Sequence, residues 1–68
     1  MTDWELIYTS DLPHRIEIVL QVLKDQDIDA VKMDKRDSSL IVMGTTIEVY
    51  AKKEDAILAK IIIEQNQL

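Results

Sequence analysis

The chain has no cysteine, no phenylalanine, one glycine, one proline and one histidine. Each scarcity removes a class of chemistry. Without cysteine there is no disulfide, and with no thiolate and His14 as the only imidazole a structural zinc site cannot be assembled. A single glycine, Gly44, cannot build the loops that cradle phosphates, so nucleotide binding by those devices is excluded. The G-x-S-x-G nucleophile elbow is absent for the same reason. No run approaches the ~20 apolar residues that a membrane-spanning helix needs. The opening Met1-Thr2-Asp3-Trp4-Glu5 carries acids where a signal peptide carries positive charge. Absence of cysteine fits an intracellular setting, and the expectation is a soluble, cytoplasmic chain.

Thirteen acids stand against eight basic residues, for a net charge of −5. A phosphate backbone is bound by Lys and Arg displacing counterions, and here it would be repelled. The longest basic clusters are the pairs Lys52-Lys53 and Lys35-Arg36, the size of ordinary solvated turns. Nucleic acid and anionic membrane are therefore not expected partners. Sixty-eight residues make one domain. A chain of this size buries only about 60 % of the surface its unfolded form exposes. Such cores rarely supply more than roughly 3–5 kcal/mol unaided. With disulfides and metal removed, a second subunit is the support that remains, and a homodimer is expected.

Periodicity gives the order of elements. Trp4, Leu6 and Tyr8 alternate with Glu5, Ile7 and Thr9, which reads as a strand over residues 3–9. Ser10 or Asp11 then caps a helix that accepts Pro13 in its first turn. Ile16, Val19, Leu20 and Leu23 form its buried stripe, and it runs to about residue 26, ended by Asp27. Residues 28–35 read as a second strand, Asp37-Ser38-Ser39 as a turn, and residues 45–51 as a third strand. There Ile47, Val49 and Ala51 alternate with Thr46, Glu48 and Tyr50. Lys53-Glu54-Asp55 opens a second helix, its acids in the first turn where the helix dipole favours them.

The order βαββα has few packings. If the first two strands are parallel, the third slots between them, antiparallel to both, with both helices on one face. This is the split βαβ of ferredoxin-like α+β folds with the last strand missing. It leaves the first strand at an edge, where free backbone groups invite pairing.

Catalytic constellations are not found. His14 is the one conventional base and reads as a solvated residue at a helix start. The alternating acids Asp25, Asp27 and Asp29 resemble the start of a calcium loop. However, the sixth position from Asp25 is Ala30 rather than glycine, and the twelfth is Arg36 rather than glutamate. They read instead as solvating the junction after the first helix. No catalytic, cofactor-binding or metal-binding residue is assigned, and no cofactor is expected.

Surface hydrophobicity is in surplus. In Ala56-Ile57-Leu58-Ala59-Lys60-Ile61-Ile62-Ile63-Glu64 apolar residues cover nearly the whole circumference, with Lys60 and Glu64 as one polar strip. Either the sheet and the other helix cover most of it, or Ile57, Leu58 and Ile61 meet a partner chain. Leu40, Ile41, Val42 and Met43 pose the same alternative: ordinary strand bending at Gly44, or an exposed adhesive connection. Trp4 and Tyr8 fit core packing better. Ile18 and Val22 lie off the main stripe of the first helix and extend any interface.

Trp4-x-x-Ile7-Tyr8-Thr9, Leu12-Pro13-His14 with a helix ending at Leu23, and Ile28-Asp29-Ala30-Val31 resemble the small bacterial family called prokaryotic signal-transducing proteins. Asp37-Ser38-Ser39, Ile47-Glu48-Val49-Tyr50, and Glu54-Asp55 followed by Ala59 agree with it, so the likeness spans about residues 4–63. It consists of hydrophobic positions and turns, not catalytic signatures. The resemblance implies a ferredoxin-like domain distantly similar to the nitrogen-regulatory PII proteins, with no assigned biochemical activity. In PII proteins the connection between the second and third strands docks on targets; the matching connection here is residues 36–45. The glycine-rich and basic residues with which PII proteins hold ATP are missing, as is the zinc ribbon of some relatives. Together these readings point to a non-enzymatic regulatory or interaction module. The rival is a small-molecule sensor holding a metabolite between sheet and helices.

Overall fold

The central strand carries the most consistent alternation in the chain, and the fold is built around it. In the computed structural model, which describes residues 3–34 and 46–68, the elements are β1 (Trp4–Ser10), α1 (Pro13–Asp25), β2 (Ala30–Asp34), β3 (Ile47–Lys52) and α2 (Ala56–Gln65). The strands form one sheet in the order β1-β3-β2, both pairs antiparallel. The split βαβ expected from the element order is the architecture observed. β1 and β2 are parallel to one another and lie at the two edges.

Ile47, Val49 and Ala51 of β3 are buried while Glu48 and Tyr50 are half-buried, so one face of the sheet is covered and the other open. Onto the covered face pack Ile16, Val19 and Leu23 of α1, all fully buried, and Ala56, Ala59, Ile62 and Ile63 of α2. Ile28 completes the cluster. The two helices sit over opposite edges: Lys32 of β2 pairs with Glu17 of α1, and Lys60 of α2 lies 3.0 Å from Glu5 of β1. Among the described residues no polar side chain is buried.

One feature of β1 departs from simple alternation. Leu6 pairs with Tyr50 but Tyr8 pairs with Val49, so Ile7 is an extra residue, a bulge. Because strand side chains alternate with period two, one inserted residue exchanges the faces beyond it. Trp4 and Leu6 therefore share the open face with Tyr50 and Lys52. Tyr8 shares the covered face with Val49, and both Ile7 and Tyr8 pack against the core. The single face expected for Trp4, Leu6 and Tyr8 is thus divided, and core packing holds for Tyr8 but not for Trp4.

Both helices stop without glycine. Asp27 has φ 61° and Gln67 φ 57°, each in the left-handed region. After α1, the Ile28 amide donates to the Leu23 carbonyl at 3.0 Å and the Asp27 amide to the Lys24 carbonyl at 3.0 Å. After α2, Leu68 donates to Ile63 at 3.1 Å and Gln67 to Glu64 at 3.0 Å. These are two Schellman motifs; of the residues after the turns, Ile28 belongs to the core cluster and Leu68 packs against it. At the other end of α1, neither Ser10 nor Asp11 is the cap. Leu12 holds that position without a side-chain cap bond, and the Ser10 hydroxyl accepts from the Leu12 amide at 3.1 Å. Pro13 takes the first helical position, where it has no hydrogen bond to lose. Lys53–Asp55 forms a 3₁₀ turn that leads into α2, so Glu54 and Asp55 precede the α-helix proper.

Candidate functional site

α2 exposes an apolar ridge. Its buried residues Ala56, Ala59, Ile62 and Ile63 define the inward arc. At ~100° per residue, Ile57 and Ile61 project from the opposite side, with Leu58 on one flank and Lys60 and Glu64 on the other. The exposures agree: 75 % for Ile57, 52 % for Leu58 and 45 % for Ile61. All three contact residues expected on this helix stand at the surface, and the structure gathers them on one side. The other four, Leu40, Ile41, Val42 and Met43, lie outside the described residues, as do the turn at Asp37-Ser38-Ser39 and Gly44.

A second apolar surface lies on the open face of the sheet. The register lines Leu6, Tyr50 and Val31 in one row across the three strands, and Thr9, Glu48 and Met33 in the next. Leu6, Val31 and Met33 are each more than two-fifths exposed or at that level. Trp4 stands beside Lys52 at the end of the same face. The Tyr50 hydroxyl donates to a Glu48 carboxylate oxygen at 3.1 Å. Val31 and Met33 could be read from their alternation with Ala30 and Lys32; Trp4 and Leu6 could not, because the Ile7 bulge decides their side. Ile18 of α1 is exposed, whereas Val22 is partly buried against the core.

The polar candidates have local partners. Asp25 accepts from the Gln21 amide nitrogen at 3.0 Å, Asp27 holds the left-handed turn after α1, and Asp29 lies 3.9 Å from Lys52. Among the described residues no group of three or more His, Cys, Asp or Glu side chains converges on a point that could hold a metal ion. His14 stands exposed in the first turn of α1. A cavity of about 440 Å³ opens at the end of the β1–β3 pair, lined by Asp3, Trp4, Lys52, Lys53 and Glu54. Among the described residues no helix is long and apolar enough to cross a membrane.

No family model matches the chain, and no curated protein or solved structure matches it either. The family likeness noted above rests on the residue pattern alone.

Proposed function

We propose that this chain is a non-enzymatic interaction module that acts in the cytoplasm, self-associates as a homodimer and relays a signal by docking on another protein. The observation that carries the reading is the ridge of Ile57, Leu58 and Ile61, three large apolar side chains left in water by a chain of 68 residues. Contiguous exposed apolar surface commonly marks an interaction site. The open sheet face around Leu6, Val31 and Met33 offers a second such surface, so one can serve self-association while the other receives a partner. The signalling assignment follows the resemblance to the prokaryotic signal-transducing family and the PII-like element order.

The test is affinity capture from the native cell with wild-type chain, an Ile57→Glu/Ile61→Glu variant and a Leu6→Glu/Met33→Glu variant. A protein held by the wild type and lost by either variant supports the reading. Identical retention by all three, or retention of nothing, overturns it.

The sensor reading draws on the cavity bordered by Trp4, Lys52 and Lys53. It lies outside the layer between sheet and helices, which Ile16, Val19, Leu23 and Val49 fill. A ligand raises the melting temperature by mass action; no shift across nucleotides, amino acids and 2-oxo acids removes this alternative.

A further inference from the structure

We infer that two copies of the chain pair through α2, the helices running antiparallel about a twofold axis near Ile61. The inference rests on the interaction-module reading and specifies its self-association. The first ground is placement. Ile57 and Ile61, one turn apart, project directly away from the buried arc of Ala56, Ala59, Ile62 and Ile63, and Ile57 is 75 % exposed. The ridge is therefore not a margin of the core; it is presented outward.

The second ground is charge. Lys60 and Glu64 lie on the same flank of that ridge, one turn apart. In an antiparallel pair each flank meets its own copy in reverse, so Lys60 of one chain lies alongside Glu64 of the other, twice over. Lys60 already lies 3.0 Å from Glu5, but an ammonium has three donors and can serve both carboxylates. A parallel pair would set this flank against the Leu58 flank and give neither charge a counterpart across the contact. With Glu5 counted, this flank carries one ammonium and two carboxylates per chain, a net of −1 against −5 for the whole chain, so the like-charge excess where the copies touch is small. A twofold contact of this kind also closes on itself and does not propagate into fibres.

The contact is small. A specific interface of ordinary size takes ~800 Å² from each partner, a large share of the 4919 Å² the whole chain exposes. A ten-residue helix is about 15 Å long and supplies less than that, which places the contact among the small, reversible interfaces.

Sedimentation equilibrium on the purified chain, from about 5 to about 500 µM, tests the inference. The wild type should pass from monomer towards dimer, and Ile57→Glu should weaken association at least about tenfold. Lys60→Glu and Glu64→Lys should each weaken it, and the double variant Lys60→Glu/Glu64→Lys should restore it. A wild type that stays monomeric overturns the inference while leaving the docking reading to the capture experiment. Association unchanged by Ile57→Glu overturns the site, and reversals that have no effect, or that the double variant fails to rescue, overturn the antiparallel arrangement. Far-UV circular dichroism monitors folding of each variant. If Lys60→Glu does not fold beside Glu5, Ile61→Glu and Glu64→Lys still decide the matter: both must weaken association, and either one leaving it intact overturns the pairing.

Discussion

The Tyr8 hydroxyl donates a hydrogen bond to the main-chain oxygen of Leu68 at 2.9 Å, joining the first strand to the residue beyond the turn that ends the last helix. The Arg15 guanidinium reaches the same oxygen at 3.0 Å. One acceptor thus gathers β1, α1 and the end of α2. Sixty residues separate Tyr8 from Leu68, so this contact closes a loop that takes in most of the chain.

Tyr8→Phe keeps the ring against the core and removes only the donor. It should lower stability by about 1 kcal/mol, the usual net worth of a neutral hydrogen bond. Arg15→Ala should cost less, because Arg15 is exposed and water replaces its bond. The urea midpoint reads both effects, and an unchanged slope shows that the unfolded state is unaffected. A loss for Arg15→Ala larger than that for Tyr8→Phe would contradict this ordering.

The Ile7 bulge makes near neighbours on β1 respond oppositely. Leu6 stands on the open face and Tyr8 on the covered one. Leu6→Thr should change stability by less than about 1 kcal/mol, since exposed positions with a β-compatible replacement are tolerant. Tyr8→Ala should cost about 2 kcal/mol or more through lost burial and the lost hydrogen bond. Thermal melts of the two variants compare them directly; equal losses would mean that both side chains face the core.

Much of the architecture could be read before any coordinates. Ile47, Val49 and Ala51 alternate without interruption, and Ile16, Val19 and Leu23 keep helical spacing, so the covered face and the α1 stripe were legible. The bulge was not, because Ile7 and Tyr8 both suit a strand interior and nothing local says which one is the extra residue. The helix stops carried weak signals as well: Asp27 and Gln67 occupy the left-handed positions where glycine is the usual marker. In α2 the hydropathy is high almost all round, so the sequence left open which arc faces the core. Ala56 and Ala59 settle it: both are buried, which sets the inward arc and turns Ile57 and Ile61 outward. Their exposure was therefore one of two readings, and the contact at residues 40–43 is not addressed by the described residues.

Those same helix stops offer a gain. Gln67 has a Cβ and sits at φ 57°, a conformation that disfavours L-residues other than Gly, Asn and Asp. Gln67→Gly should raise stability by about 0.5–1 kcal/mol, because the relief in the folded state exceeds the added freedom of the unfolded chain. For a domain of this length that is a rise of several degrees in Tm, at ~4–8 °C per kcal/mol. Asp27→Gly should gain less, since Asp tolerates the left-handed region better. A fall in Tm for Gln67→Gly would show that the Gln67 side chain contributes more than its backbone costs.

Leu23 and Ile57 set the two ends of the mutational scale. Leu23 is fully buried in the α1 stripe, and its carbonyl also accepts the Ile28 amide that closes the helix. Leu23→Ala removes core volume where the helix passes into the turn, and a cavity there costs about 2–5 kcal/mol. That is most or all of the roughly 3–5 kcal/mol such a small domain holds, so the variant should show a substantial unfolded fraction at 25 °C by near-UV circular dichroism. Ile57→Ala, on the same scale, removes a side chain that is 75 % exposed and should change monomer stability by less than about 0.5 kcal/mol. Measured well below the dimerisation range, the contrast separates what folds the chain from what it presents to others. A dilute-solution loss for Ile57→Ala comparable to that for Leu23→Ala would place Ile57 in the core and remove the outward ridge.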